Sequence, residues 1–254
     1  MANWVQWLEL ITSYGILLLL LVGYIVTYFR GSRELPKARA KIIEGVKPYL
    51  KGRVRKFSII EHTAENLELK CEPKLTGVRA LSLFITLKSR TAFHSVVIGK
   101  IMHDTDKIIL ALKFGRNNQL VEPDHKLYLV PYRNKFIIRR RFDEFVKIDD
   151  FQTKSKWVNE HYMVKTTNFA QTRGLLNQKA LHALLKKTES HLSYILLSPP
   201  ESPTEPHLQM EFDYSNDEEI LKACFDLFFL ITEYYETLKF YRPGTRKPKK
   251  KKSS

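Results

Sequence analysis

The hydrophobic pattern opens with an uncharged run at positions 10–29, which is rich in Leu, Ile and Val. A helix of about 20 apolar residues matches the hydrocarbon core of a bilayer. Its aliphatic and Phe side chains favour insertion by about −4 to −7 kcal/mol in all. Aromatic residues typical of membrane interfaces flank or end the run, namely Trp4, Trp7, Tyr24, Tyr28 and Phe29. We predict a single transmembrane helix over 10–29, preceded by a short extracytosolic N-terminus, residues 1–9.

A cleaved signal peptide is the alternative interpretation of this run. No basic residue precedes it, it exceeds the usual length of about 7–15 residues, and no Ala-x-Ala-like site follows. Basic residues follow the run directly, and such residues favour the cytosolic side. This membrane-surface set is Arg30, Arg33, Lys37, Arg39 and Lys41. We therefore expect the N-terminus outside and the bulk in the cytosol, at the endoplasmic reticulum of a eukaryote or the plasma membrane of an archaeon.

Beyond the anchor, the pattern predicts a basic juxtamembrane segment over 30–56 and a cytosolic α+β domain over 57–241. A short amphipathic helix is expected over 36–50, interrupted by Gly45 and Pro48. The first strands are predicted over 54–60 and 67–71.

The remaining elements predict a duplicated β-α-β-β-α unit. The first copy comprises a strand over 81–87, a helix over 92–102, strands over 107–114 and 126–131, and a helix over 134–148. The second comprises a strand over 162–166, a helix over 175–188, strands over 192–197 and 208–214, and a helix over 217–241. The helix over 134–148 has an apolar face of Ile137, Ile138, Phe142, Phe145 and Val146. A proline-rich loop at 199–206 is a candidate contact loop.

The charge is unevenly distributed. The chain has 254 residues, with 42 Lys and Arg against 27 Asp and Glu and a net charge of +15. Positions 57–238 contain equal numbers of both signs, so the excess lies in the two flanks. A basic nucleic-acid-binding core is therefore not indicated. The only two cysteines, Cys71 and Cys224, exclude a disulfide framework, and we expect buried free thiols.

The C-terminal flank, residues 242–254, is predicted to be a disordered tail that only a polyanion could order. Its cations are Arg242, Arg246, Lys247, Lys249, Lys250, Lys251 and Lys252. Ribosomal RNA and anionic lipid headgroups would bind it with comparable energies, on the order of 1 kcal/mol per charge for lipid. The tail has no aromatic residue to stack bases, which argues against sequence-specific RNA recognition.

A secondary basic patch surrounds one predicted helix. It comprises Arg133, Lys135, Arg139, Arg140 and Arg141. Acidic residues follow it at 143–144 and 149–150, so a solvated helix face is the favoured interpretation, with RNA binding as the alternative.

Candidate chemistry is sparse. The sequence contains no phosphate-binding glycine loop, no Gly-x-Ser-x-Gly and no His-Glu-x-x-His motif. Residues with metal-ligand chemistry occur together at His103, Asp104 and Asp106, with His94 upstream. A polar turn between helix and strand explains them better. We predict no catalytic residue, metal or cofactor.

The order of elements resembles the calumin family, the coiled-coil-domain subunit of the endoplasmic-reticulum PAT complex. The similar segments are Tyr24–Tyr28 at the end of the anchor, Leu83–Lys88, Lys100–Met102, Asp106–Lys113, Leu127–Val130, the basic helix from Arg133 and the helix over 217–241 that enters the lysine-rich tail. Compared with that family, we expect no signal peptide and no acidic lumenal region here, and a basic coiled coil that is shortened to about a dozen residues. The resemblance implies a shortened, divergent relative with no lumenal calcium role.

The resemblance implies a non-enzymatic adaptor or chaperone subunit in membrane-protein insertion. Its expected partners are the protein-conducting channel, the ribosome through ribosomal RNA, and a small membrane partner subunit. The alternative is a tether or scaffold whose basic flanks bind anionic lipid. A third option is a membrane-bound enzyme that uses the turn at 103–106.

Overall fold

The computed structural model describes residues 2–75, 77–101, 104–115, 125–199 and 205–237. These residues form an α+β fold, as predicted, and the N-terminal helix that carries it is longer than expected. The helices are α1 (Ala2–Leu50), α2 (Phe93–Ile101), α3 (Lys135–Arg141), α4 (Lys156–His161), α5 (Phe169–Leu176), α6 (Lys179–Thr188) and α7 (Glu218–Thr237). The strands are β1 (Val54–Glu61), β2 (Asn66–Pro73), β3 (Val78–Thr86), β4 (Lys107–Phe114), β5 (Leu127–Pro131), β6 (Tyr162–Thr166), β7 (Leu192–Leu197) and β8 (Leu208–Asp213).

The strands pair in one sheet, in the order β1-β2-β3-β4-β8-β7-β5-β6. Every pairing is antiparallel. The two predicted copies do not pair alike, because β3 pairs with β4 whereas β5 separates β6 from β7. The expected duplication of a β-α-β-β-α unit is therefore not present in the sheet, although the element types follow the predicted order.

The two faces of the sheet bury different clusters. Successive side chains of β5 and β7 point to opposite faces of the sheet. Leu129 and Ile195 face the large core, and Tyr128 and Tyr194 face a smaller one. The large core is covered by the second half of α1 together with α5, α6 and α7. The smaller core is closed by α3 and the residues that follow it.

The helix α1 is continuous, which corrects the expected separate, interrupted helix over 36–50. It contains Pro36 and Pro48, and an interior proline typically costs about 3 kcal/mol. A stripe of buried residues offsets this cost, since these side chains pack into the large core. The stripe is Leu35, Ile42, Val46 and Leu50. The core thus begins well before position 57, the domain boundary expected from the charge pattern.

The predicted helix over 134–148 is broken. The helix α3 ends at Arg141 because Phe142 is extended, with φ −126° and ψ 102°, and a short 3-10 turn follows over Asp143–Val146. The break lets Phe145 and Ile148 reach the smaller core. It leaves Ile137 and Val146 exposed, so the expected apolar face is only partly buried.

Side-chain caps explain some helix boundaries that the sequence prediction missed. The predicted helix over 175–188 is in fact two helices, α5 and α6, separated at Asn177 and Gln178. Asn168 caps α5 by accepting from the backbone N–H of Gln171 at 3.0 Å. Ser155 caps α4, an element that was not predicted.

Candidate functional sites

The first half of α1 carries most of the exposed large hydrophobic side chains among the described residues. Its Leu, Ile, Val, Tyr and Phe side chains between Tyr14 and Phe29 are exposed, with Leu19 at 73%. None of its most apolar window is buried, unlike the core helix of a soluble protein. Among the described residues, this is the one helix long and apolar enough to cross a membrane, and it lies near the N-terminus as predicted.

The membrane-surface basic set follows this apolar half along α1. Arg33, Lys37 and Lys41 are exposed. Arg30 forms an i,i+4 ion pair with Glu34 at 2.7 Å, and this exposed pair contributes little to stability. Four of the five members of the set are thus exposed, and Arg39 is the exception.

Arg39 has a different role from the other members of the set. Its guanidinium donates to Glu61 Oε2 at 3.0 Å, to the Thr63 carbonyl oxygen at 2.8 Å and to the Ala64 carbonyl oxygen. These groups belong to the end of β1 and the turn that follows it. Arg39 therefore fixes α1 to the β1–β2 turn, a positioning role that the sequence alone did not indicate.

A groove of about 590 Å³ lies between α1 and α2. Apolar lining comes from Val26 and Val96, and cationic lining from Arg30, Lys88, Arg90 and Lys100. Acidic lining comes from Glu34 and Asp104. An amphipathic groove with a cationic excess suits a group that has an apolar part and a negative charge.

Of the candidate cluster His94, His103, Asp104 and Asp106, the three members that the structure describes do not form a metal site. His94 is exposed on α2, Asp104 lines the groove, and His103 lies outside the described residues. Asp106 is held by Arg90 Nη2 at 2.7 and 2.9 Å and accepts from the Lys88 backbone N–H. Asp106 therefore fastens the segment before α2 to the start of β4. Within the described residues, no group of three potential ligands could hold a metal.

The secondary basic patch divides into two parts. Arg141 donates to Glu211 Oε2 at 2.5 Å and lies over the Tyr194 ring, and Arg133 donates to the Leu192 carbonyl oxygen. Both arginines therefore bind residues of the sheet, Arg141 at β8 and Arg133 at β7. Lys135 and Arg139 instead line a small exposed cleft.

The exposed part of this patch also carries apolar side chains. Phe136 is 74% exposed and Ile137 is 62% exposed, beside Arg139 and Arg140 on α3. This combination of exposed cations and large apolar groups is typical of a surface that meets lipid or a partner.

The cationic tail cluster at 242–254 and the loop residues 200–204 lie outside the described residues.

Two buried thiols and one buried imidazole have strongly shifted pKa values. Burial raises the pKa of the Cys71 thiol to about 11 and that of Cys224 to about 12. Burial lowers the pKa of His125, next to Tyr235 in the core, to about 4. Both cysteines are buried and free, as predicted. A thiol with a raised pKa is a poor nucleophile, so these two are structural.

Comparison with known proteins gives no further assignment. No known family matches the chain, and no curated protein matches its sequence.

Proposed function

We propose that the protein is a non-enzymatic, membrane-anchored adaptor that acts beside the protein-conducting channel and the ribosome in membrane-protein insertion. The observation that carries the proposal is the continuity of α1. Its first half is exposed and apolar, and one face of its second half, from Leu35 to Leu50, is buried in the large core. A continuous helix would hold the folded domain at a fixed height above the bilayer.

The role beside the channel rests on the resemblance of the chain to the calumin family. In this arrangement the span over 10–29 meets other membrane helices, including a small partner subunit. The domain docks on the cytosolic side of the channel, with the N-terminus outside. The tail over 242–254 reaches ribosomal RNA. The exposed cations Arg33 and Lys37, about 6 and 12 Å beyond Phe29 along the helix axis, keep the base of the domain at the headgroups.

Ribosome sedimentation over a salt series tests the proposal. The full chain, reconstituted in lipid nanodiscs, is expected to sediment with ribosomes at low salt. Neutralising Lys247 and Lys249–Lys252 to Gln should abolish cosedimentation, and the wild-type interaction should weaken steeply with salt because phosphate contacts release counterions.

The matched control neutralises five exposed domain lysines to Gln, namely Lys147, Lys154, Lys156, Lys179 and Lys187. It removes the same charge and should leave cosedimentation intact. Equal losses in both variants would contradict a specific role for the tail. No cosedimentation of the wild-type chain would contradict the ribosome proposal itself.

The second candidate function is a lipid tether, and the exposed part of the basic patch favours it. Phe136 and Ile137 would enter the interface while Lys135, Arg139 and Arg140 meet anionic headgroups. Flotation with anionic vesicles distinguishes the two functions. Vesicle binding without any ribosome binding would favour the tether.

A further inference from the structure

The helix α2 packs against the apolar half of α1. The Phe93 ring lies 3.1 Å from the point that a Cβ on Gly23 would occupy. Gly23 lies six residues before Phe29, or about 9 Å along the helix axis. Gly23 therefore lets α2 approach α1 within the stretch over 10–29 that is proposed to cross the bilayer.

A shift of the bilayer along α1 does not remove this overlap at low cost. If lipid ended at Gly23, a crossing of about 30 Å would begin near residue 3. Glu9 would then lie about 9 Å inside the hydrocarbon, where a carboxylate costs on the order of 2–3 kcal/mol or more. Keeping Glu9 at the interface places Gly23, and Phe93 with it, at the depth of the lipid.

The chemistry of α2 fits that depth. Val97 is 42% exposed and Ile98 is 56% exposed. Lys100 lies in the last turn and the exposed Lys88 lies five residues before the helix, whereas Arg90 is held in its ion pair with Asp106. An exposed apolar face between two cations is the pattern of a helix that lies in a membrane interface.

We propose that α2 is an interfacial helix, embedded beside α1 in the cytosolic leaflet. Val97 and Ile98 meet the acyl chains. Lys88 and Lys100, which are exposed and line the groove between α1 and α2, meet anionic headgroups. The inference rests on the membrane crossing that is part of the proposed function, but not on the ribosome or the channel. It adds a second point of attachment, which prevents the domain from rotating about α1.

Depth-dependent quenching of single fluorescent labels tests the inference. Val97→Cys and Ile98→Cys, each in the full chain, are labelled with an environment-sensitive maleimide. The native Cys71 and Cys224 are buried and should not react. The labelled chains are reconstituted in phosphatidylcholine–phosphatidylglycerol vesicles that contain lipids spin-labelled near the headgroup. Both labels are expected to lose fluorescence to the spin-labelled lipid and to resist iodide.

Two further positions provide the controls. Leu19→Cys, in the middle of the span, should be quenched by lipids spin-labelled deep in the acyl chain. Ile59→Cys has an exposure of 48%, like that of Val97 and Ile98. Its strand, β1, ends at Glu61 beside Arg39, which is ten residues or about 15 Å beyond Phe29. The Ile59 label should respond to iodide alone.

The outcomes separate this inference from the proposed function. One outcome is that the Leu19 label is quenched while the Val97 and Ile98 labels are quenched no more than the Ile59 label. This outcome would overturn the interfacial helix and leave the anchor in place. Failure of quenching at Leu19 would overturn both the anchor and this inference. Loss of ribosome binding alone would leave the interfacial helix unaffected.

Discussion

At Gly31, α1 lies directly against the backbone of the segment before α2. A Cβ at this position would overlap the backbone carbonyl oxygen of Arg90, and a backbone atom cannot rotate away. We expect Gly31→Ala to separate the two segments and to lower the free energy of unfolding by about 1–3 kcal/mol or more. Denaturant unfolding of the full chain in detergent measures this change.

Gly15 provides the matched control in the same helix, because nothing lies within 4 Å of the Cβ that it lacks. Alanine is preferred over glycine in a helix interior by about 0.8–1.0 kcal/mol, so Gly15→Ala should not destabilise the domain. Equal stability of the two alanine variants would contradict the close approach at Gly31.

His125 should make the fold sensitive to acid. Burial lowers the pKa of His125 to about 4, whereas an unfolded histidine titrates near 6.5. As the pH falls, the unfolded chain therefore binds the proton first, and stability is lost between about pH 6.5 and pH 4. We expect His125→Phe to reduce the slope of unfolding free energy against pH in this window. An unchanged slope in the variant would show that other groups cause the acid sensitivity.

At the scale of elements, α3 allows a prediction from two adjacent residues. Ile138 is 2% exposed in the smaller core, whereas Ile137 projects outward. Ile138→Ala should lower the unfolding free energy by about 2–5 kcal/mol. Ile137→Ala should change it by no more than about 0.5 kcal/mol. Thermal unfolding of the two variants compares them directly.

The two exposed apolar residues of α3, Phe136 and Ile137, test the lipid tether. Phe136→Ser with Ile137→Ser should leave the melting temperature unchanged and weaken binding to anionic vesicles. Vesicle binding that is unaffected by the double change would remove α3 from the membrane contact.

Local pattern predicted the strands well and the helices less well. The observed bounds of β4, β6 and β7 match the predicted ones, because apolar side chains recur there in short runs. The local pattern of apolar side chains could not predict that α1 continues past Pro36. This continuity depends on the burial of Leu35 and Ile42 in a core that distant strands build. The break at Phe142 likewise serves the approach of Phe145 to the sheet, which is a tertiary requirement.

At the scale of the molecule, the order of elements did not predict their neighbours. Two similar runs of β-α-β-β-α suggested a repeat, but strand pairing is set by connections between distant segments, and β8 inserts beside β4. The candidate sites also depend on contacts between distant segments, which the sequence pattern does not predict. The exposed apolar half of α1 and the basic set after it were visible in the sequence, whereas the packing of α2 on Gly23 was not, because α2 follows three strands later in the chain.

The position at which the domain begins gives the last prediction. Four aliphatic side chains of α1, from Leu35 to Leu50, are buried in the large core. Burial of such side chains is worth about 1.5–3 kcal/mol each, so their sum rivals the typical stability of 5–15 kcal/mol of a whole domain. We expect residues 30–254 to unfold cooperatively in mild detergent and residues 52–254 to remain unfolded or aggregated. Circular dichroism with limited proteolysis distinguishes these states. Cooperative unfolding of residues 52–254 would show that α1 is only a membrane anchor and not also a structural part of the domain.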